Sequence, residues 1–143
     1  MSSRPGGFLL DTCAAIWFAN GGLAEKAKTI LAEAASREAI YVSPVSAWEV
    51  GTLAYPRSGR PKVEFLSDPM TWFTRLMAAR GIRAAHLTAT AALDASRLPG
   101  DIHADPADRL LISTARELNL PLVTRDRKIL DYAASGHVQA LAC

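Results

Sequence analysis

Four acidic residues stand where an α/β chain gathers its ligands. Asp11 directly follows the apolar run Phe8-Leu9-Leu10, and Asp126 comes two residues after the run Pro121-Leu122-Val123-Thr124. Short apolar runs of this kind read as buried strands. Open parallel sheets bind ligands beyond the carboxyl ends of their strands, so both acids are expected at one edge. Glu49 lies on a helix opened by Ser43-Pro44, on a face shared with Val45, Ser46 and Leu53. A carboxylate on that partly apolar face is poorly solvated and needs a partner. Asp108 sits in the first turn of a helix opened by Asp105-Pro106. Carboxylates gathered in one cleft repel each other, so they either take up protons or are neutralised by a cation. Hard divalent ions, which prefer oxygen ligands, suit such a set. Such an ion lowers the pKa of a bound water and polarises a phosphodiester. The chain has no His/Cys ligand set of the kind zinc favours.

Each acid also has a purely structural reading. Asp11 and Asp126 are placed to cap the helices that follow them. Glu49 can be a surface acid on its helix, and Asp108 a favourable charge at a helix N-terminus. Asp105, with Pro106 next and Asp108 at the box position, reads first as an N-cap. Spacing alone leaves these alternatives open.

The elements that would position the acids alternate along the chain. Strands are expected at Phe8–Leu10, Ile40–Val42, around Ile82 to Leu87, at Pro121–Thr124 and near Val138. Helices are expected over Leu23 to Arg37, from Pro44 to about Tyr55, from Pro69 to about Arg80, over Thr88 to Arg97, from Pro106 to about Asn119, and briefly after Asp126. Tyr55 to Lys62 is a Pro/Gly loop. Apolar strands alternating with helices predict an α/β fold, a central mostly parallel sheet flanked by helices on both faces. At 143 residues the chain is one domain, 8–143, after a Ser/Gly/Pro leader at 1–7.

Composition narrows the class. Half the residues are hydrophobic and 21% are charged, as in ordinary globular proteins. The net charge of +2 permits a polyanionic partner without demanding one. Cys13 and Cys143 form no disulfide framework, which fits a reduced, cytoplasmic setting. No apolar run reaches the length of a membrane helix, and Asp11 interrupts the only stretch resembling a signal peptide.

Four blocks together resemble the PIN-domain family, specifically VapC-type toxins, over about Phe8 to Ala140. They are Leu9-Leu10-Asp11-Thr12, Ser46-Ala47-Trp48-Glu49-Val50, the run from Asp105 to Ala115 that begins Asp-Pro-Ala-Asp-Arg, and Leu122-Val123-Thr124-Arg125-Asp126. The third is the most specific, and the order and spacing of all four carry the resemblance. It implies a homodimeric endoribonuclease, the toxin of a toxin–antitoxin pair, held inactive by a cognate VapB-like antitoxin. It also implies hydrolysis of RNA by a water activated on one or two Mg²⁺ or Mn²⁺ ions. Carried over by position, Asp11, Glu49, Asp108 and Asp126 are the metal-site and catalytic acids. Asp105 assists, and Thr12 and Thr124 position ligands or water. The chain departs from the family pattern at Ala104, where many relatives have a basic residue, and in the loop from Pro56 to Lys62.

Candidates for phosphate contact are Arg57, Arg60 and Lys62 in that loop, with Arg109 and Arg125 beside two of the acids. Any one of these is more often a solubilising surface charge. Trp48 and Trp72 are expected in the core or an interface, His103 as a loop histidine without a role, and Cys13 as a small buried residue. One rival reading is a phosphatase with Asp11 as nucleophile, though Cys13 stands where the usual Asp-x-Asp block has its second acid. Another is a PIN-like module that binds without cutting, against which the intact set of acids argues.

Overall fold

A computed structural model describes residues 6–143; residues 1–5, most of the expected leader, lie outside the described residues. The chain runs β1 (Phe8–Leu10), α1 (Thr12–Asn20), α2 (Glu25–Ser36), β2 (Ile40–Val42), α3 (Pro44–Ala54) and α4 (Pro69–Ala78). It continues with β3 (Ile82–Ala84), α5 (Ala89–Ala95), α6 (Pro106–Leu118), β4 (Leu122–Thr124), α7 (Arg127–Ala134) and β5 (Ala140–Ala142). The strands form one sheet in the order β3-β2-β1-β4-β5, with every pairing parallel. In register, Leu9 lies opposite Tyr41 and Leu122, and Leu10 opposite Val123.

Side chains along a strand alternate between its faces, and this sheet is covered on both. Leu10 and Val123 pack into one core with α1, α2, α3 and α4, whereas Leu9 and Leu122 pack into the other with α6 and α7. All four residues are fully buried, which is why these strands read as continuous apolar runs. Each such leucine contributes roughly 1.5–3 kcal/mol of apolar burial.

Helix starts follow the local sequence. Ser43, Asp68 and Asp105 each precede a proline and cap the next helix, accepting the N–H groups of Val45 at 3.0 Å, Thr71 at 2.9 Å and Asp108 at 3.0 Å. Proline suits the first turn because its missing N–H is not needed there. Gly81 leads into β3 at φ +87°, and a Cβ there would stand 2.3 Å from the carbonyl oxygen of Ala35 at the end of α2. Only glycine allows that approach.

Three details differ from expectation. Helix α1 had no range of its own in the sequence pattern, because its residues TCAAIWFAN are apolar nearly all round and show no 3.6-residue alternation. The strand near Val138 starts at Ala140, and β3 stops at Ala84. Among the described residues no helix is long and apolar enough to cross a membrane.

Leu10 is the buried residue just before Asp11, so Leu10→Ala is expected to destabilise the fold by about 2–5 kcal/mol. Urea unfolding of the two proteins side by side measures this; a loss under ~1 kcal/mol would mean the sheet centre collapses onto the cavity.

Candidate metal centre

β1 and β4 are neighbours at the middle of the sheet, so the residues that follow them emerge together. Asp11 is only 7% exposed. Its main-chain N–H bonds to the carbonyl of Val123 at 3.0 Å, and its Oδ1 accepts the N–H of Ala14 at 2.8 Å, capping α1. Thr124, at the end of β4, hydrogen-bonds the Asp11 side chain and accepts the N–H of Asp126 at 3.0 Å. One buried hydroxyl therefore ties two of the acids together. Asp126 caps α7, its Oδ1 accepting from Lys128 at 2.8 Å and Ile129 at 3.3 Å.

Glu49 enters from α3. Its Oε1 accepts the hydroxyl of Thr12, which is also hydrogen-bonded to Ser46 Oγ at 3.0 Å. Ser46 is fully buried and Thr12 nearly so, so the first turn of α1 and the middle of α3 are pinned by a polar link inside the fold. Asp108 comes from the first turn of α6. Its Oδ2 lies 3.3 Å from His103 Nε2, and both side chains are about four-fifths buried. Asp105 caps α6 through Asp108 N–H and donates its own N–H to His103 Nδ1 at 3.3 Å.

The electrostatics show that these acids share one field. Burial pushes the Asp11 carboxyl up, and the Asp126 charge adds to this, against the Thr124 and Ala14 hydrogen bonds and Arg125. Burial likewise raises Glu49, with Asp105 and Asp11 adding repulsion and the Thr12 hydroxyl opposing it. Asp108 is pushed up to about 7, first by burial and then by Asp105, Glu49, Asp126 and Asp11. Desolvated carboxylates that raise one another are an oxygen donor set lacking positive charge, and a hard divalent cation fits it. One donor atom each from His103, Asp108 and Asp126 lies within 4.8 Å of the others. This group could hold an ion.

The basic candidates have separate places. Arg109 lays its guanidinium on backbone carbonyls, with Nε to Ala95 at 2.8 Å and Nη1 to Ile102 and His103 at 3.4 and 3.5 Å. Arg125 stacks 3.7 Å over the Trp17 ring and donates to the carbonyls of Gly22 at 2.9 Å and Cys143 at 2.7 Å. Arg57, Arg60 and Lys62 are exposed in the loop between α3 and α4, where Lys62 Nζ stands 3.9 Å from Glu64. Trp72 is a core residue bonded to Asn20 Oδ1 at 3.1 Å, whereas Trp48 is 60% exposed. Cys13, expected to be buried, is instead exposed. It is the second residue of α1, between buried Thr12 and Ala14, and its thiol is pushed up to about 11 by partial burial and then by the Asp11, Glu49 and Asp108 charges. His103, expected by default to be a loop histidine without a role although close enough to Asp105 to touch substrate, lies in the cleft beside Asp108.

A family model described as PIN domain matches residues 8–135. The curated ribonuclease VapC22 of Mycobacterium tuberculosis is 30% identical over 124 residues, covering 85% of this chain and 88% of that protein. Among solved structures, the VapBC2 complex of Rickettsia felis bound to a promoter DNA fragment is similar with a TM-score of 0.67 at 15% identity, covering 94% of this chain and 97% of that one. DNA-bound VapBC of Salmonella typhimurium gives 0.63 at 14% identity, with 96% and 98% covered. At such identities the two structures bear on the fold.

A carboxyl whose pKa is higher folded than unfolded binds extra protons in the fold, so its stabilising contribution is complete below the unfolded value and is lost as pH rises through the folded one. For Asp108 that window runs from 3.8 to about 7. The metal-free protein is therefore expected to lose stability, on the order of 1–2 kcal/mol after allowing for solvent screening, as pH rises through this range. Asp108→Asn should flatten the trend. Denaturant midpoints between pH 5 and 8 measure it, and an unchanged slope in the variant would show that Asp108 is not strained.

Proposed function

The chain belongs to the PIN-domain family, and from that premise we propose that it is a VapC-type toxin, a Mg²⁺- or Mn²⁺-dependent endoribonuclease. The observation that carries this reading is the convergence of Asp11, Glu49, Asp108 and Asp126 on one edge of the sheet, where burial and mutual repulsion raise three of them. The likeness to ribonuclease VapC22 supplies the substrate class.

In this proposal the four acids hold one or two divalent ions. A bound ion would supply a nucleophilic water at neutral pH and stabilise charge on the phosphate. The protein's own part is positioning. Thr124 bridges Asp11 and Asp126, and Thr12 orients Glu49. Asp105 assists by capping α6 so that Asp108 faces the cleft, and by adding negative charge beside it. The phosphatase alternative is weaker, because the Asp11 carboxyl is buried and engaged by Ala14 and Thr124, which disfavours its use as a nucleophile.

RNA would approach along exposed Arg57, Arg60 and Lys62, whose charges suit a phosphate backbone. Arg109 and Arg125 contribute indirectly, by fixing the loops that carry His103 and Asp126. A VapB-like antitoxin and a second copy of the chain are the proposed partners. Exposed Trp48 on α3 and Tyr55 just past its end offer them apolar surface. The site of action would be the cytoplasm.

Purified, antitoxin-free protein is expected to cut a mixed RNA pool with Mg²⁺ or Mn²⁺ and to stop with EDTA. Asp11→Asn and Asp108→Asn should each lower the rate at least about 100-fold while remaining folded. A folded wild type that binds the ion yet cuts no RNA in a broad panel would favour the binding module. Replacing Arg57, Arg60 and Lys62 by Gln should weaken RNA binding and flatten its salt dependence by about 2 in the log–log slope. A slope that does not change would place the phosphate path elsewhere.

A further inference from the structure

The loop between α5 and α6 carries one nitrogen that the four-carboxylate scheme does not use. Arg109 reaches back from α6 and bonds the carbonyls of Ala95, Ile102 and His103, which fixes that loop against the helix start. The His103 ring is turned inward and only 18% exposed. Its Nδ1 accepts the N–H of Asp105, and its Nε2 is shut off from solvent with no hydrogen-bond partner. Nε2 does lie 3.3 Å from Asp108 Oδ2, close enough for an ion pair but out of line for a hydrogen bond. Buried polar atoms are nearly always satisfied, and an exception calls for a missing partner. The same nitrogen belongs to the group in which donors of His103, Asp108 and Asp126 lie within 4.8 Å of one another.

We propose that His103, Asp108 and Asp126 form a mixed nitrogen–oxygen cation subsite, with His103 as a ligand that biases the cleft toward transition-metal divalent ions over Mg²⁺. The inference rests on the nuclease reading above and adds a ligand and a metal preference to it. The chemistry follows from the donors. Carboxylates alone suit Mg²⁺, which binds nitrogen poorly, whereas imidazole favours first-row transition metals. With Nδ1 accepting from Asp105, the neutral ring carries its proton on Nε2. An ion binding there displaces that proton to Nδ1 at the expense of one long hydrogen bond.

The test titrates Co²⁺ and, separately, Mg²⁺ into the metal-free full-length protein by calorimetry, for wild type, His103→Ala and His103→Gln, each verified as folded by circular dichroism. The wild type should bind Co²⁺ more tightly than Mg²⁺. Both variants should lose about tenfold or more in Co²⁺ affinity with little change for Mg²⁺. Co²⁺-loaded wild type should also show a strongly shifted imidazole N–H proton signal in the NMR spectrum that is missing from the variants. Unchanged Co²⁺ affinity in the variants overturns the proposal, as does an equal loss for both ions, which would make His103 a positioning residue for Asp108. RNA cleavage by the same wild-type preparation with Mg²⁺ is scored separately. Cleavage with His103-independent Co²⁺ binding overturns only the subsite, and His103-dependent Co²⁺ binding without cleavage overturns only the nuclease reading. Binding of neither ion overturns both.

Discussion

Repulsion between carboxylates that have been taken partly out of water is the condition to which the rest of this fold answers. Two full charges about 5 Å apart repel by roughly 3 kcal/mol at an effective dielectric near 20. A helix cap contributes about 1 kcal/mol, so capping alone cannot hold the cleft together. The strength comes from the two cores on either face of the sheet. Leu9, Leu10, Leu122 and Val123 are completely enclosed immediately before the acids. Where the chain leaves that apolar support, the side chains are set by short polar links, Thr124 between Asp11 and Asp126 and Thr12 between Ser46 and Glu49.

The structural and chemical readings of the acids turn out not to compete. Asp11 and Asp126 are both true N-caps, and each uses Oδ1 for the helix N–H groups. A carboxylate has two oxygens, so the cap fixes the side chain while Oδ2 remains beyond those N–H contacts. Asp105 shows the other outcome. It caps α6 and is exposed, and it acts on Asp108 through the N–H bond and through its charge. Placement at helix starts explains why Asp11, Asp108 and Asp126 converge, and Glu49 joins them from the middle of α3. In a parallel sheet the strand ends and the following helix starts share an edge, and capping residues are by nature short and polar.

Much of this was legible in the residues. The apolar runs gave the strands to within a few positions. Ser43-Pro44, Asp68-Pro69 and Asp105-Pro106 marked three helix starts that the structure places at Pro44, Pro69 and Pro106. What stayed hidden had physical reasons. Helix α1 is apolar on every side, so it left no periodic trace. Arg109 and Arg125 read as phosphate contacts because they adjoin acids. A guanidinium sits at the end of a long arm, however, and sequence does not say which way the arm swings. Both arms turn to main-chain carbonyls, Arg125 reaching Gly22 and Cys143, far away in sequence. The inward turn of His103 was hidden for a similar reason, because a loop has no period from which to infer an inward face.

The posture of those two arginines has a consequence for the order of events. Arg125 does lower the Asp11 pKa, but as the smallest influence on it. Arg109 is occupied with carbonyls on the far side of its own loop. The two arginines thus leave most of the repulsion among the cleft's carboxylates unopposed. A polyanion arriving first would be turned away at the mouth, whereas a small cation would be drawn in. If the cleft takes up a cation as proposed, occupancy would reverse the sign of that encounter, and ion binding would become an admission step ahead of the polyanion, set by where two positively charged side chains were spent inside the fold.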